Sequence, residues 1–467
     1  MASYQERALS YLKGEMSTEE RAAFEEALTT SEELRAELES SRALLDLLAA
    51  ANEESVVKQV NLCIQQAIKA RASDIHIVGL RPEEYGPGQT GGVMISFRID
   101  GRLQEWTRLP KAQQQGMVDR WKVMAEMNVA EQRVPQDGRI SVRYEGNHYE
   151  LRVNVLPTAT GERVTARLIN RSSVLIGLDR LGLSAAQQAT IRRLLDRPRG
   201  LMMVGGFEAA GKTTLLYSML TAINGPGRPA RNIMTVEDPV EYLLPGMSQT
   251  QVNRQAGMTF TVGLRGILRT DPDVVYLSQM RNLESAELCV EMALTGQLVL
   301  SQLHVTSALQ VVQRLREMGI VNFLIGHILL GSVGVRLVRR ICTNCVEEYA
   351  PSFSDLSKAG LSPVEDGPFR RGAGCEACRG TGYAGRIGLF EVLEADEAVR
   401  QMIIDEVPLP TIWYTTFGRN GGSLWDDARD KVRQGLTTLE EVNEALSDYP
   451  HPFNSVDAAW RAKVELG

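Results

Sequence analysis

Apolar and polar residues change rhythm three times along this chain. Over residues 1 to about 55, Gly and Pro are almost absent and Ala, Leu and Glu are dense, which predicts helices. Ser17 and Glu20 stand at capping-box spacing ahead of RAAFEEAL, and Thr30 and Glu33 repeat that spacing ahead of LRAELESSRALLDLLAAA. The expectation for 1–55 is a helical hairpin or three-helix appendage, an acidic arm that docks an unknown partner. From 56 to 170 the period shortens to two, in SDIHIVG, GVMISFRIDGRL and RISVRYEGNHYELRVNVLP, with Asp-Gly and Glu-Gly at the turns. That predicts an antiparallel sheet, with helices over VVKQVNLCIQQAIKARA and QQQGMVDRWKVMAEM packed on it. Residues 171–184 read as a linker. From 185 to 340 come the apolar runs LMMV, RNIMTVED, PDVVYLSQ and GQLVLSQLH, with helical stretches between them, which predicts an α/β domain with a largely parallel sheet. Residues 341–390 hold paired cysteines, and 391–467 read as helical.

Composition narrows the class. A chain of 467 residues that is 43% hydrophobic and 23% charged is an ordinary globular protein of two or three domains. A formal net charge of −7 argues against a dedicated nucleic-acid binder, which carries a basic face. The N-terminus has no signal-peptide order, and the apolar run Val321–Val335 contains Asn322 and His327, too short and too polar to cross a bilayer. A cytoplasmic protein is expected.

Two motifs carry chemistry. Gly206-x-x-x-x-Gly211-Lys212-Thr213 follows LMMV and opens a helix, the Walker A arrangement. Backbone N–H groups from Gly206 through Ala209, Ala210 and Gly211 to Thr214 would face phosphates, Lys212 would reach the β and γ oxygens, and the Thr213 hydroxyl would bind Mg²⁺. Glu208 places a negative charge inside that loop. The pairs Cys342-x-x-Cys345 and Cys375-x-x-Cys378, with 29 residues between them, form a four-thiolate set suited to a structural Zn²⁺. Cys63 and Cys289 lie in apolar helical surroundings and read as packing residues.

The blocks ASDIHIVG, FRIDGRL, VPQDGRI, LPTATGERV, the Walker A loop, TVEDPVEY, LRGILRTDPDVVYLSQMRN, TGQLVLSQLHVTSA, LVRRICTNC and GCEACRGTGYAGRIGLFEVL occur in one order. In that order and spacing the chain resembles the type II secretion and type IV pilus assembly ATPases, from about residue 56 to 448. The resemblance implies a PAS-like lobe over 56–170 and a RecA-like P-loop lobe over 185–340, joined in a hexameric ring, either a homo-hexamer or a ring mixed with a paralogue. It also implies ATP with Mg²⁺ between the lobes and an inner-membrane platform protein as partner, which would place the chain at the cytoplasmic face of that membrane. Glu237 is then the carboxylate that orients or deprotonates the attacking water, and His304 senses the γ-phosphate. Some of Arg98, Arg133, Arg139, Arg152 and Arg167 would reach the γ-phosphate.

The chain also departs from that family. Glu208 stands in place of a small or polar residue and Ala209 in place of Gly. Ser278-Gln279 and Arg281-Asn282 replace Gly-Glu and Arg-Asp, so Gln279 takes the position of the Walker B glutamate. Gln297 and Gln302 replace a His and a Thr. An amide can position water but cannot take its proton. These changes, read as lying within or beside the nucleotide site, lean towards slow or absent hydrolysis. Two readings stay open: an ATP-hydrolysing motor, and a catalytically degenerate ring component or regulator acting through protein contacts.

Overall fold

A computed structural model describes residues 11, 16–31, 34, 35, 38, 56–81, 84, 91–170, 176–361, 367–418 and 421–449. The chain divides into two compact units, Met1–Ser172 and Ser173–Gly467.

In the first unit, α1 (Thr18–Thr30) begins with the expected capping box: the Glu20 N–H donates to Ser17 Oγ at 3.3 Å, and the Ser17 N–H donates to the Glu20 carboxylate at 2.9 Å. The second cap falls one residue later than expected. Thr30 is still helical, and the Leu34 N–H donates to Ser31 Oγ at 3.2 Å; Glu33 lies outside the described residues. A serine hydroxyl caps as well as a threonine, so spacing alone does not separate adjacent candidates. Phe24 and Leu34 bury their side chains together here.

Six strands follow: β1 (Asp74–Leu80), β2 (Gly92–Ile99), β3 (Arg102–Pro110), β4 (Gln136–Tyr144), β5 (Asn147–Leu156) and β6 (Arg163–Asn170). They form one antiparallel sheet in the order β3-β2-β1-β6-β5-β4. Its hairpins turn at Asp100-Gly101 and Glu145-Gly146, where all four residues have positive φ, the backbone twist that tight two-residue hairpins need. The inward face of the sheet (Ile75, Ile77, Phe97, Leu151, Val153, Val164) packs against Val60, Cys63 and Ala67 of α2 (56–69) and Met117 and Trp121 of α3 (Gln114–Met124). Under α3, Lys122 and Glu162 make a buried ion pair at 2.6 Å.

In the second unit, β7 (Gly200–Gly205), β8 (Ile233–Glu237), β9 (Ser248–Gln251), β10 (Val274–Leu277), β11 (Leu298–Leu303) and β12 (Leu329–Ile341) run parallel. A short hairpin, β13 (Val346–Tyr349) and β14 (Phe369–Gly372), stands beside them, and β15 (Tyr383–Glu394) joins the sheet antiparallel to β12. The order is β15-β12-β7-β11-β10-β8-β9. Alternate residues of the central strands serve opposite layers, as a sheet covered on both faces requires. Helices α4 (Ala185–Leu195) and α5 (Lys212–Ile223) cover one face, and Leu201, Met203, Val275, Leu277 and Val299 face a core on the other, shared with α6 (Phe260–Ile267), α7 (Leu283–Thr295) and α8 (Gln310–Glu317). Met202, Val204, Tyr276, Leu298 and Leu300 face the core shared with α4 and α5.

Two sequence boundaries look different in the fold. The apolar run at 321–335 divides into α9 (Asn322–Ile328) and the first half of β12. Strand β15 crosses residue 391 as an integral edge of the seven-stranded sheet, and Leu178 and Leu183 of the linker stretch are buried in the second unit's core. Among the described residues no helix is long and apolar enough to cross a membrane.

Candidate functional site

The loop after β7 is shaped by what surrounds it. A Cβ on Gly205 would meet Val305 Cγ2 at 2.6 Å, and one on Gly206 would meet the Val335 carbonyl at 2.9 Å, so both positions exclude a side chain. Gly211 caps α5 with φ +92° and Ala209 has φ +59°. A glycine at 209 would adopt that left-handed conformation freely; alanine holds it at a cost of about 1 kcal/mol or more. Lys212 opens α5 and turns back over the loop, its ammonium donating to the carbonyls of Gly206 at 2.8 Å and Phe207 at 2.6 Å. Burial pushes its pKa down to about 8, with the Glu208 carboxylate holding it up and Arg336 pressing it further down. Ala210 is buried under the loop, while Thr213 and Thr214 lie half-buried in the first turn of α5.

Glu237, Gln279 and His304 all sit at the carboxyl ends of parallel strands (β8, β10 and β11), the edge where the phosphate loop leaves β7 and where open α/β sheets place their ligands. Gln279 and His304 line one cleft of about 400 Å³ with Phe207, Arg281, Thr306 and Gln310. In it the Gln279 side-chain carbonyl accepts from Arg281 Nε at 2.6 Å. Burial and the Lys212 charge lower the pKa of exposed His304, and Glu208 opposes them. Lys212, Glu208 and His304 therefore share one electrostatic neighbourhood.

Glu237 does not face that cleft. It is 1% exposed, and its carboxylate accepts from the hydroxyls of Tyr217 and Thr235 (the latter at 2.6 Å) and from Gln249 Nε2 at 2.9 Å. Tyr217 on α5 and Gln249 on β9 are partners that sequence reading missed. They lie 20 and 12 residues from Glu237 on other elements, so no motif spacing marks them.

The substitutions at the strand ends separate. Ser278 Oγ accepts the Asp238 N–H at 3.2 Å and ties β10 to β8. Asn282 is the N-cap of α7, its side chain accepting the Ser285 N–H at 3.1 Å, a task that Asp and Asn perform equally well. Gln297 corrects the expectation that it lies beside the nucleotide site. It precedes Leu298 at the amino end of β11, its carbonyl accepting the Gly200 N–H, six residues and roughly 17–20 Å of strand away from the loop edge.

In the first unit, four of the five candidate arginines fall on one cross-strand row. Arg139 pairs with Arg152, Arg152 with Arg167, Arg167 with Asp74, and Asp74 with Arg98, across β4-β5-β6-β1-β2. Directly opposed residues share a face, so the row is a strip of like charge interrupted by one carboxylate. Asp74 takes Arg167 at 3.1 Å and Arg98 at 3.9 Å, and Arg152 reaches Glu150 at 3.4 Å. Arg133 stands apart before β4, highly exposed and paired with Glu131 at 2.7 Å.

The cysteine pairs converge. The four Sγ atoms lie within 4.8 Å of one another, with Cys342–Cys375 at 3.9 Å, Cys345–Cys378 at 3.8 Å and Cys375–Cys378 at 3.7 Å. A tetrahedron of thiolates about 2.3 Å from a Zn²⁺ has edges of ~3.8 Å, so the donor set fits that ion. Burial works against ionisation of Cys378, yet the N–H groups of Cys375 (3.1 Å) and Gly382 (3.2 Å) donate to its sulfur and draw its pKa down to about 6. Cys63 and Cys289 are fully buried and their thiols are pushed up to about 12.

The sequence model of the family described as Type II/IV secretion system protein matches residues 49–444. Type II secretion system protein E of Pseudomonas aeruginosa is 39% identical over 398 residues, 85% of this chain and 76% of its own length. Type II secretion system ATPase E of Vibrio cholerae is 41% identical over 397 residues, again 85% and 76%. The type IV pilus assembly ATPase PilB of Thermus thermophilus is 37% identical over 84% of this chain but 43% of its own length. Among solved structures, the Legionella pneumophila ATPase DotB superposes with a TM-score of 0.61 at 18% identity, covering 83% of this chain and 94% of its own. The pilus retraction motor PilT with bound ADP does so at 0.55 and 24% identity, covering 82% and 95%. These likenesses place both sheets in an α/β ATPase fold. With a family model spanning most of its length and relatives near 40% identity over 85% of it, the chain belongs to the type II/IV secretion system protein family.

Proposed function

We propose that this chain is an ATP-binding subunit of a type II secretion or type IV pilus assembly machine. The observation that carries this reading is the loop Gly206–Thr213, set at the carboxyl edge of a parallel sheet with Lys212 inside it and His304 in the adjoining cleft. The loop N–H groups and the start of α5 bind the phosphates, Lys212 neutralises them, and His304 meets the terminal phosphate. Mg²⁺, held through the Thr213 hydroxyl, would polarise the phosphoryl oxygens. Some of Arg98, Arg133, Arg139, Arg152 and Arg167, in a first unit read as a PAS-like lobe, would contact nucleotide phosphates. The second unit is read as a RecA-like lobe in which Cys342, Cys345, Cys375 and Cys378 hold a structural Zn²⁺. The subunits form a ring, a homo-hexamer or one mixed with a paralogue, at the cytoplasmic face of the inner membrane. There a platform protein and the docking arm at 1–55 supply the contacts, with no nucleic acid involved.

A specific observation favours a second reading, a ring component that holds ATP and turns it over slowly. The cleft offers the neutral Gln279, already bonded to Arg281, while Glu237 is committed to three donors in the interior. The test is nucleotide titration together with phosphate release. Wild type should bind Mg-ATP and Lys212→Ala should not; absence of binding by wild type would overturn the proposal. Gln279→Glu should raise phosphate release by ~10²-fold if the missing carboxylate limits turnover, and Glu237→Ala in that background should abolish the gain if Glu237 acts in catalysis.

A further inference from the structure

We propose that Arg336 is a positioning residue for the phosphate loop, and that Asp448 and Tyr449, just beyond the helix Leu439–Ala445, set where Arg336 stands. This rests on the nucleotide-site reading above.

Arg336 lies on β12, the strand that runs against the loop. The neighbouring Val335 carbonyl closes on Gly206, and Leu337 would stand 3.3 Å from a Cβ on Gly211. The guanidinium is 6% exposed. Its Nη2 donates to the Thr306 carbonyl at 2.9 Å, and its plane covers the Phe207 ring with Cζ 4.6 Å from the centroid. Phe207 is the second residue of the loop and its carbonyl holds Lys212; Thr306 is two residues beyond His304. One buried cation thus grips two of the loops that line the cleft. A guanidinium gripping an aromatic face and a carbonyl acts by geometry as much as by charge, which lysine does not reproduce.

The other side of Arg336 faces the segment Leu446–Tyr449 in the C-terminal part of the chain. Asp448 approaches Nη2 at 3.5 Å, and Nε of Arg336 has no acceptor among the described residues. Behind it Glu391 is fully buried. Its carboxylate accepts the Ala308 N–H at 2.9 Å and the Tyr449 hydroxyl, and that hydroxyl in turn accepts from Trp413 Nε1 at 3.1 Å. Removing the Tyr449 hydroxyl or the Asp448 charge changes the anionic side of Arg336 without touching the loop. Anything that draws that segment away, such as a partner that binds it, would loosen the grip on Phe207 and Thr306. The segment is therefore a device by which a distant contact adjusts the nucleotide site.

The experiment uses the full-length chain and compares Arg336→Lys, Asp448→Asn, Tyr449→Phe, Phe207→Leu and the double variant Phe207→Leu/Arg336→Lys. Amide hydrogen exchange over residues 206–213 is read without nucleotide, and the Kd of a fluorescent ADP analogue is read with Mg²⁺. The expected result is several-fold faster exchange confined to the loop and a Kd weakened about tenfold by Arg336→Lys and about threefold by Asp448→Asn. Phe207→Leu should add little to Arg336→Lys, because the two act through one contact. Unchanged loop exchange in both Arg336→Lys and Asp448→Asn would overturn the proposal, as would additive effects of Phe207→Leu and Arg336→Lys. Should Arg336→Lys fail to fold, the partly exposed Asp448→Asn and the buried but conservative Tyr449→Phe carry the test. If wild type binds no nucleotide the functional reading fails, yet loop exchange in the nucleotide-free protein still decides on the latch.

Discussion

Replacing Glu208 by Gln probes the sign of the field inside the phosphate loop. Glu208 is exposed, yet its carboxylate supports the charged form of both Lys212 and His304, so it lies within reach of the place where phosphates bind. A unit charge about 6 Å from a phosphate oxygen repels it by ~2.8 kcal/mol at an effective dielectric of ~20 and by ~0.7 kcal/mol in water. Exposure puts Glu208 near the watery limit, and a relief of about 0.7 to 1.4 kcal/mol corresponds to a three- to tenfold tighter Kd near neutral pH, less at high salt. A second, opposing contribution of the same substitution acts through Lys212 at higher pH. With Lys212 at about 8, its ammonium is intact below that value and is lost as pH rises through it, so wild-type affinity is flat near pH 7 and weakens above pH 8. Without Glu208 the Lys212 pKa falls further and the loss begins earlier. The advantage of Glu208→Gln should therefore shrink as pH rises through about 8. Anisotropy titrations of a fluorescent ADP analogue with Mg²⁺ across this range, at two salt concentrations, measure both effects. An unchanged or weaker Kd near pH 7 would show that the carboxylate points away from the phosphates, and parallel pH curves would remove the proposed link to Lys212.

Three further outcomes are expected. Ala209→Gly removes a left-handed alanine worth ~1–2 kcal/mol of strain but adds ~0.5–1 kcal/mol of unfolded-state entropy, so urea denaturation should show a net gain of roughly 0.5–1 kcal/mol. Asn282→Ala should cost about 1 kcal/mol in the same assay, while Asn282→Asp should match wild type in stability and in phosphate release. Cys378→Ser should purify with less than half an equivalent of zinc by elemental analysis and expose the region around 342–382 to limited proteolysis, because metal binding there is coupled to folding.

What could be read from the sequence divides along physical lines. Strands β7, β8, β10 and β11 were legible because each is a short β-branched or Leu-rich run bounded by Gly, Asp or Pro, and the phosphate loop and cysteine pairs were legible because their chemistry fixes their spacing. Strand β12 was not, since a continuous apolar run has no period to tell helix from strand, and its glycines at 331 and 334 argue for neither. The arginine row depends on register across five strands, which no local spacing encodes. In sequence Gln297 groups with the site because it departs from the resembled family as the other changes do; a parallel strand separates its two ends by its whole length, and Gln297 lies at the far one. The sequence placed Glu237 at a strand end, but the direction of its side chain was decided by Tyr217 and Gln249, which only the fold brings near it.

The hold that the Gly206 and Phe207 carbonyls keep on Lys212 makes ligand entry an exchange. An incoming anion must draw the ammonium away from two charge-assisted hydrogen bonds before it gains any. A single phosphate group repays that loss only through the loop N–H groups it can reach at once. A chain of phosphates would span the loop and the start of α5 together, so on the nucleotide-site reading its net gain is larger. The exchange then favours polyphosphates over lone anions.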